Sequence, residues 1–383
     1  MYKQASRLAP NHKTWEQRHT MKRRSFLTSA GIGAAAATVA APAVAQSSPE
    51  IRWRLASSFP KTLDTIYGGA EIIAKRVAAI TDGKFQIRVF AAGEIVPGLQ
   101  VLDAVQNGTI ECGHTASYYY VGKDPTFSFD ATMPFGFNAR QQSAWIHQGG
   151  GMELLREFFG GYNVVNFPAG NTGTQMGGWF RKEIKTVADL NGLKFRVSGF
   201  AGQVLSKLGV VPQQIAGGDI YPALEKGTID AAEWIGPYDD EKLGFNKVAK
   251  YYYYPGWWEG GLNVSALVNQ QQWEQLPKPY QAAFEAACYE ATVIMNAKYD
   301  AENPAALRRL VGSGAQLRPF PREVMEASYK ASFELCDEIA KTNAKFAKIY
   351  EPWKKFREEA YLWFRVGENS FENFVYSASQ KRG

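Results

Sequence analysis

Strand-like and helix-like segments alternate between residues 51 and 117, and this alternation limits the choice of fold. Residues 51–58 and 85–90 alternate apolar and polar side chains, which is typical of strands with one buried face. Residues 109–117 form a third strand pattern, and the segments between the strands repeat apolar residues at helical spacing. This β-α-β-α-β order predicts a mainly parallel sheet with helices on both faces.

A second strand–helix series begins near Lys185. An apolar run at 193–197 ends in a Ser-Gly turn before a helix pattern, and another apolar run covers residues 229–235. Two such series predict an α/β fold with two lobes around a cleft. We expect lobe I to comprise residues 46–162 with 260–312, and lobe II residues 163–259 with 313–321.

The C-terminal part, residues 322–383, is predicted to be helical. Residues 322–380 form a long, charge-rich, amphipathic run. Such a run is typical of a helix that contacts a partner chain or the other lobe. Helices packed on their own lobe fit the pattern equally well, so a homodimer through this end stays open.

Residues 1–45 have the features of an export signal. A basic segment with Arg23 and Arg24 precedes an Ala/Gly-rich apolar stretch, and residues 43–45 read Ala-Val-Ala, a typical cleavage site. The paired arginines followed by Ser-Phe-Leu resemble a twin-arginine (Tat) signal, which predicts export to the periplasm. A membrane anchor is the alternative, but the stretch is short and Pro42 interrupts its end.

The charge distribution argues against a nucleic-acid partner. The net charge is +6, and residues 1–45 account for it because they carry seven basic side chains and one acidic side chain. The rest of the chain is balanced and has no basic run, so we expect no nucleic-acid partner.

The sequence shows none of the common catalytic or metal motifs. There is no GxSxG, HExxH or phosphate-loop pattern after residue 45. Cys112, Cys288 and Cys336 lack zinc or redox spacing, and we expect them to be buried small side chains. One disulfide with one free thiol is the alternative. A binding protein is therefore favoured over an enzyme.

Two charged residues in the second series are candidate ligand contacts. Arg196 ends a strand pattern just before Ser198 and a helix start, and both arginines and helix N-termini favour carboxylates. Glu233 lies within the apolar run 229–235, where a half-buried acid needs a cation or a donor beside it. The alternative for each is an ordinary surface charge.

Further candidates lie on polar segments near strand ends. Tyr119 and Tyr120 follow the third strand pattern, and ligands bind beyond the carboxyl ends of strands in such sheets. Asn171 lies in a Gly-Asn-Thr-Gly segment. The tyrosines could equally be core aromatic residues, and Asn171 could be only a turn residue.

Three motifs resemble those of TRAP transporter solute-binding proteins of the DctP type. They are Asp-Leu-Asn-Gly-Leu-Lys-Phe-Arg-Val-Ser-Gly at 189–199, Leu-Gly-Val-Val-Pro at 208–212, and Leu-Glu-Lys-Gly-Thr-Ile-Asp-Ala-Ala-Glu-Trp at 224–234. The resemblance implies a two-lobed periplasmic binding protein that closes on a small organic acid and delivers it to a TRAP permease in the membrane. Residues 233–234 and 257–259 resemble the subgroup that binds 2-oxo acids or lactate with a metal ion.

The resemblance also implies roles for individual residues. Arg196 would contact the ligand carboxylate, and Gln175, Glu233 and Trp234 would surround a bridging Na⁺ or Ca²⁺ ion, with Glu259 as a further ligand. Trp234 would bind the cation through its backbone oxygen, while its indole and Gln175 would also contact the organic acid. Alternatives are a C4-dicarboxylate or sugar-acid receptor of the same family, a binding protein of an ABC importer or sensor, or a periplasmic metal-assisted enzyme.

Overall fold

The structure is a computed structural model that describes residues 49–380. The predicted Tat signal peptide, residues 1–45, lies outside the described residues. Within the part that is described, none of the helices has both the length and the apolar character to span a bilayer.

Eleven strands in the described residues form two sheets. The first sheet has the order β2-β1-β3-β10-β4, and the second has the order β11-β9-β5-β8-β6-β7. The strands are β1 (Ile51–Ser57), β2 (Phe85–Phe90), β3 (Cys112–Thr115), β4 (Val164–Asn171), β5 (Gly178–Phe180), β6 (Lys194–Arg196), β7 (Val211–Gln213), β8 (Ala231–Ala232), β9 (Tyr251–Tyr254), β10 (Asn263–Asn269) and β11 (Gln316–Pro319).

Helices cover both sheets and form the C-terminal part. They are α1 (Ile66–Ile80), α2 (Val101–Gln106), α3 (Ser128–Ala131), α4 (Ala139–Gln148), α5 (Gly151–Gly160), α6 (Phe200–Lys207), α7 (Gly217–Glu225), α8 (Pro237–Leu243), α9 (Gln270–Gln275), α10 (Lys278–Gly312), α11 (Arg322–Thr342), α12 (Ala344–Phe364) and α13 (Ser370–Gln380).

The first sheet confirms the α/β arrangement expected from the alternating segments. β1 pairs in parallel with β2 and β3, while β10 pairs antiparallel with β3 and β4. All seven residues of β10 are buried, as expected for a strand with neighbours on both edges and cover on both faces. The apolar side of α1 packs toward this sheet through Ile73 and Val77, which are fully buried.

Two segments join the sheets and pass close to each other. Residues 172–177 connect β4 of the first sheet to β5 of the second, and residues 255–262 connect β9 back to β10. Two backbone hydrogen bonds join the connections. The amide of Gln175 donates to the carbonyl of Glu259, and the amide of Gly256 donates to the carbonyl of Gln175. Side chains on these connections are thus held at the junction of the two sheets.

Helix α10 also contacts both halves of the molecule. It packs on α1 and β4 beside the first sheet, and on α8, which follows β8 of the second sheet. Tyr299 and Ala306 in its later turns are fully buried. With 35 residues, the helix links elements of the two sheets through one continuous backbone.

The predicted lobe boundaries remain a prediction, and one strand bears on them. β4 begins at Val164 and pairs with β10 in the first sheet. The proposed start of lobe II at residue 163 therefore assigns this strand to lobe II although its hydrogen bonds lie in the first sheet.

The C-terminal part is helical, as the sequence predicts. α11 packs on α6 and α12, and α12 packs on α4 and α5. Beyond these contacts, the chain continues through a π-helical turn, Arg365–Asn369, into α13, where large apolar side chains are exposed. Packing on their own chain is therefore observed. Contact with a partner chain stays a prediction, which the exposed apolar side chains at the end of these helices support.

The three cysteines are free and buried. Cys112 is the first residue of β3, Cys288 lies on α10 and Cys336 lies on α11. The expectation of buried small side chains is therefore confirmed, and the alternative of a disulfide is wrong.

Candidate functional site

A buried ion pair between Arg196 and Glu233 forms the centre of the candidate site. The side chain of Arg196, the last residue of β6, is 1% exposed, and that of Glu233 is 0% exposed. Nη1 of Arg196 donates to Oε1 of Glu233 at 2.5 Å and to its backbone oxygen at 2.6 Å. A charge-assisted hydrogen bond of this length holds both side chains in one orientation.

The register of two strands brings these residues together. β6 runs parallel to β8 with Arg196 beside Ala232, so Glu233 comes one residue after the paired position. The amide of Glu233 donates to the carbonyl of Arg196, and the amide of Ser198 donates to Oε1 of Glu233, each at 3.0 Å. Oε2 of Glu233, in contrast, is buried and has no hydrogen-bond partner among the described residues.

The guanidinium of Arg196 keeps one nitrogen for a ligand. Nε donates to the carbonyl of Ile215 at 3.1 Å and Nη1 is used by Glu233, while Nη2 makes no hydrogen bond within residues 49–380. The indole of Trp234 lies 5.1 Å from Cζ of Arg196, within the range of a cation–π contact. The arrangement leaves Nη2 to donate to one acceptor, such as an oxygen of a ligand carboxylate.

Gln175 and Glu259 lie on the two connections between the sheets, and both side chains are buried. Nε2 of Gln175 donates to Oγ1 of Thr172 at 3.0 Å, which orients the amide oxygen away from that contact. Oε1 of Gln175 and Oε2 of Glu259 have no partners within the described part of the chain. Polar atoms this deeply buried are normally paired, so two further oxygens here are available to a bound group.

The two glutamates compete for one arginine. Burial raises the pKa of Glu233, and the Arg196 guanidinium opposes this rise. Burial raises the pKa of Glu259 well above its usual range, the Glu233 carboxylate raises it further, and Arg196 lowers it. The site therefore has more acidic than basic groups, and a bound cation would relieve the repulsion between the two carboxylates.

The residues present fit a hard cation bound by oxygen. Gln175, Glu233 and Glu259 supply amide and carboxylate oxygens, the ligand type that Ca²⁺ and similar ions prefer. Within the described residues, no group of three or more His, Cys, Asp or Glu side chains is placed to hold a metal ion. Any cation here would thus use this mixed set, and the backbone oxygen of Trp234 remains a predicted further ligand.

The tyrosines after β3 differ in what they contact. Tyr119 lies close enough to Arg196 for the guanidinium to lower its pKa against a larger rise due to burial. The hydroxyl of Tyr120 instead bonds to Oγ1 of Thr115 and accepts from the amide of Leu102. The hydroxyl of Tyr120 is thus used inside the first half of the molecule, and its predicted contact with a ligand stays a prediction.

Asn171 is buried at the end of β4. Its Oδ1 accepts from the amide of Gly173 at 2.9 Å, which is the contact expected of a turn-forming asparagine. A contact of its amide nitrogen with a ligand stays a prediction.

Tyr118 and Ser198 reach the site although the sequence did not single them out as contacts. Tyr118 lies beside Glu259 and lowers the pKa of that carboxyl. A Cβ on Gly199, whose φ is +67°, would lie 2.7 Å from Cβ of Tyr118, so glycine is required for this close approach. Oγ of Ser198 is buried and unpaired among the described residues. The Tyr-Tyr-Tyr run and the Ser-Gly turn indicate in the sequence that a ligand could bind nearby. Neither pattern shows which side chain faces the cleft.

An apolar pocket lies beside Trp234. Its gaps are too narrow for a water molecule, and they amount to about 170 Å³ with the adjoining space that is open to solvent. Tyr118 and Tyr119 border it from the turn after β3. The other lining residues are apolar: Phe59, Ile66, Trp234, Ile235 and Leu262. The walls suit a small alkyl group in polarity, but the side chains must move apart before one can enter. A second carboxylate would lack a charged partner among these walls.

Comparison with known proteins identifies the family. Residues 56–343 match the model of the DctP family, described as bacterial extracellular solute-binding protein, family 7. The chain belongs to this family. It is a solute-binding protein of the TRAP type that acts in the periplasm, and its relatives are receptors.

The similarity to three relatives extends over most of the chain. A monocarboxylate 2-oxoacid-binding periplasmic protein of Nostoc sp. is 54% identical over 94% of this chain and all of its own length. A TRAP solute-binding protein of Bordetella bronchiseptica is 59% identical, with a TM-score of 0.86 over 88% of this chain and 100% of its own. That protein was solved as a dimer with copurified calcium and picolinate in one site and an apo second site.

A third relative, from Pseudoalteromonas atlantica, was solved with bound sodium and pyruvate. It is 41% identical, with a TM-score of 0.82 over 85% of this chain and 99% of its own. These similarities confirm the α/β fold expected from the sequence and the assignment to the TRAP family.

Proposed function

We propose that this protein binds a small monocarboxylic 2-oxo or 2-hydroxy acid, such as pyruvate or lactate, together with a bridging cation. The observation that supports this most is the pair of buried glutamates, Glu233 paired with Arg196 and Glu259 without an ion pair, each of which keeps an oxygen without a partner among the described residues. The protein then delivers the acid to the membrane subunits of a TRAP permease.

Charge balance favours a cation together with the acid. Arg196 offsets one of the two glutamates, and the ligand brings a further negative charge into a site that excludes water. Uncompensated charges in such a site are strongly destabilised. Na⁺ or Ca²⁺ held by Gln175, Glu233, Glu259 and the backbone of Trp234 offsets this excess and polarises the ligand oxygens that it binds.

The groups that the site offers favour a ligand with one carboxylate. They also favour a second cation-binding atom on the carbon next to that carboxylate. Nη2 of Arg196 can donate to a single carboxylate oxygen, and a cation held by Gln175, Glu233 and Glu259 would supply a positive charge for the remaining oxygens of a 2-oxo or 2-hydroxy acid. Pyruvate and picolinate, the ligands of the two solved relatives, both have a donor atom next to a carboxylate. Both therefore suit the same kind of chelation.

The apolar pocket beside Trp234 supports the choice of a monocarboxylate. Once the lining side chains move apart to admit it, the methyl group of pyruvate or lactate would contact apolar side chains such as Phe59, Ile66 and Leu262. A C4-dicarboxylate would place its second carboxylate near these walls, where burial without a partner costs several kcal/mol.

Ligand binding favours a closed arrangement of the two halves. The proposed ligand touches Arg196 at the end of β6 and the apolar wall near the first sheet. Through the cation, it also contacts the two connections between the sheets. A ligand that makes more contacts in one arrangement shifts the population toward it. The permease would then recognise the closed surface.

Dimer formation through the C-terminal helices is a further part of the proposal. Leu362, Trp363, Val366, Phe371, Phe374 and Tyr376 are each more than half exposed. Such a group of large apolar side chains favours burial against another protein surface. The Bordetella relative was solved as a dimer, which supports a second copy of this chain as the partner.

Calorimetric titration of the protein after treatment with a chelator tests the ligand and the cation. We expect pyruvate and lactate to bind in the presence of Na⁺ or Ca²⁺ and to bind weakly without either ion. Arg196→Ala should abolish binding, while the exposed-site control Arg322→Ala should bind normally. The bound acid should be recovered unchanged. Tight binding of succinate, or of a sugar acid, without any response to pyruvate would contradict the proposal.

A further inference from the structure

The hydroxyl of Thr172 makes three hydrogen bonds at the junction of the two sheets. Thr172 is the first residue after β4, and it is fully buried. Its Oγ1 donates to the carbonyl of Gly173 at 3.0 Å, and it accepts from Nε2 of Gln175 at 3.0 Å and from the amide of Leu262 at 3.2 Å. A hydroxyl has one proton to donate and two lone pairs that accept, so these contacts use its whole capacity.

These contacts decide which way the amide of Gln175 faces. In the observed orientation, its nitrogen donates to Oγ1 of Thr172 and its oxygen points elsewhere. Turning the amide over would place Oε1 against Oγ1, whose only proton is already donated to the carbonyl of Gly173. Two acceptors would then face each other without a proton between them. Thr172 therefore disfavours the reversed amide.

The observed orientation leaves an acceptor of Gln175 unsatisfied. Its Oε1 is buried and has no hydrogen-bond partner in residues 49–380, and the same holds for Oε2 of Glu259. A buried acceptor without a partner is unfavourable in itself, and a cation bound between such oxygens would remove this penalty. The hydroxyl of Thr172 thus keeps the amide in the orientation that a cation needs.

The same hydroxyl joins the two connections between the sheets. The amide of Thr172 donates to the carbonyl of Leu262 at 3.0 Å, and the amide of Leu262 donates back to Oγ1 of Thr172. Asn171 and Asn263 form the last pair of β4 and β10, so this exchange extends their ladder by one pair. Leu262 also lines the apolar pocket. One hydroxyl therefore contacts a predicted cation ligand and a residue of the pocket wall.

We propose that Thr172 is a positioning residue for the bound cation. Its hydroxyl keeps Oε1 of Gln175 free to bind the cation, and it fixes this amide relative to the connection that carries Glu259. The inference rests on the proposed function for the cation, whereas the orientation of the amide is a property of the cation-free protein.

The test compares Thr172→Val, which removes the hydroxyl, with Thr172→Ser, which keeps it. The matched control is Thr81→Val, because Oγ1 of Thr81 also donates to a carbonyl and accepts from a backbone amide but lies just after α1. Ca²⁺ is titrated calorimetrically into chelator-treated protein that contains pyruvate. Thr172→Val should bind Ca²⁺ about tenfold to a hundredfold more weakly, while Thr172→Ser and Thr81→Val should stay within about threefold of the original Kd.

A spectroscopic measurement on the cation-free protein observes the amide directly. The side-chain ¹H–¹⁵N resonances of Gln175 are identified by their loss in Gln175→Glu. They should shift in Thr172→Val and remain close to their original positions in Thr172→Ser and Thr81→Val. A shift caused only by a changed neighbouring side chain would appear in Thr172→Ser as well.

Two results would overturn the proposal. One is a Thr172→Val protein that binds Ca²⁺ as tightly as the original, and the other is a Thr172→Ser protein that loses as much affinity as Thr172→Val. If Thr172→Val does not fold, Thr172→Ala removes the same hydroxyl and takes its place.

Failure of this inference is distinguishable from failure of the proposed function. If the unsubstituted protein with pyruvate binds neither Ca²⁺ nor Na⁺, the proposed function is wrong. The Gln175 resonances in the cation-free variants then still decide whether Thr172 orients the amide.

Discussion

Nη1 of Arg196 lies 2.5 Å from Oε1 of Glu233, and solvent reaches almost none of either side chain. The sequence predicted both residues as site residues with separate partners, a carboxylate for Arg196 and a cation for Glu233. The direct pairing means that the protein has already balanced one charge of the site. What a bound cation must balance is the remaining acid, Glu259, together with the negative charge of the ligand.

Removing Arg196 should destabilise the cation-free protein strongly. Arg196→Ala leaves Glu233 buried without its counter-charge, and breaking one side of a buried ion pair costs about 3–5 kcal/mol. The free energy of unfolding, measured in urea at pH 8, should fall by this amount. The control is Arg322→Ala, which removes an exposed pair with Glu326 and should change stability little. Equal losses in both variants would contradict the buried-pair interpretation.

Stability should decrease as the pH rises from 5 to 8. Burial raises the pKa of Asp240 to about 7, although its hydrogen bonds from Tyr252 and Trp179 oppose the rise. Since an unfolded aspartate has a pKa of about 3.9, the folded protein holds a proton in this interval that the unfolded chain has lost. This stabilising contribution is complete below the unfolded pKa and disappears as the pH passes the folded value, with a slope of at most about 1.4 kcal/mol per pH unit.

Urea unfolding at several pH values checks this dependence. Asp239 contributes in the same direction, because burial raises its pKa to about 6. Asp240→Asn should flatten the profile, mainly between pH 6 and 7. A profile that Asp240→Asn leaves unchanged would show that this carboxyl is not protonated in the folded protein over this range.

Gly217 should be necessary for the position of Trp234. A Cβ at Gly217 would lie 2.5 Å from the indole, while a Cβ at the next residue, Gly218, meets nothing within 4 Å. Gly217→Ala should displace the indole and weaken pyruvate binding about tenfold, consistent with an overpacking cost of about 1–3 kcal/mol. Gly218→Ala should leave binding unchanged and add up to about 1 kcal/mol of helix stability. Calorimetric titration of both variants provides the comparison.

The apolar pocket should set the chain length of the ligand. Leu262→Ala enlarges it, so longer 2-oxo acids such as 2-oxopentanoate should gain affinity relative to pyruvate. Each added methylene that becomes buried contributes about 0.8 kcal/mol, or roughly fourfold in Kd. Ile73→Ala, in the core between the first sheet and α1, should lower stability without changing this ratio. A ratio unaltered by Leu262→Ala would mean that the ligand tail lies elsewhere.

The C-terminal helices should determine the oligomeric state. The double variant Trp363→Glu with Phe374→Glu places charges on the exposed apolar face and should sediment as a single chain, while the original protein sediments as two. Val293→Glu is the control, because Val293 is an equally exposed apolar residue on α10. Sedimentation velocity is the measurement, and a single-chain mass for the original protein would contradict the dimer.

Local patterns predicted the first half of the fold well. The parallel pairing of β1 with β2 and β3 follows from the order of strands and helices, since short crossovers leave few alternatives. The assignment of β4 was harder. Its sequence position suggested the second lobe, but its hydrogen bonds with β10 depend on a partner about a hundred residues away, which no local pattern reveals.

The site shows the same difference between what local sequence patterns predict and what contacts between distant segments decide. The sequence by itself predicted the chemistry, because the resemblance of its motifs to TRAP solute-binding proteins implied a carboxylate contact for Arg196 and a cation near Gln175, Glu233 and Glu259. Only the tertiary structure decided how these groups share their charges. The register of β6 against β8 pairs Arg196 with Glu233, the hydroxyl of Tyr120 bonds inside the first half of the molecule, and two crossing connections bring Gln175 beside Glu259. Such relationships arise from packing between distant segments, so they become visible only once the chain is folded.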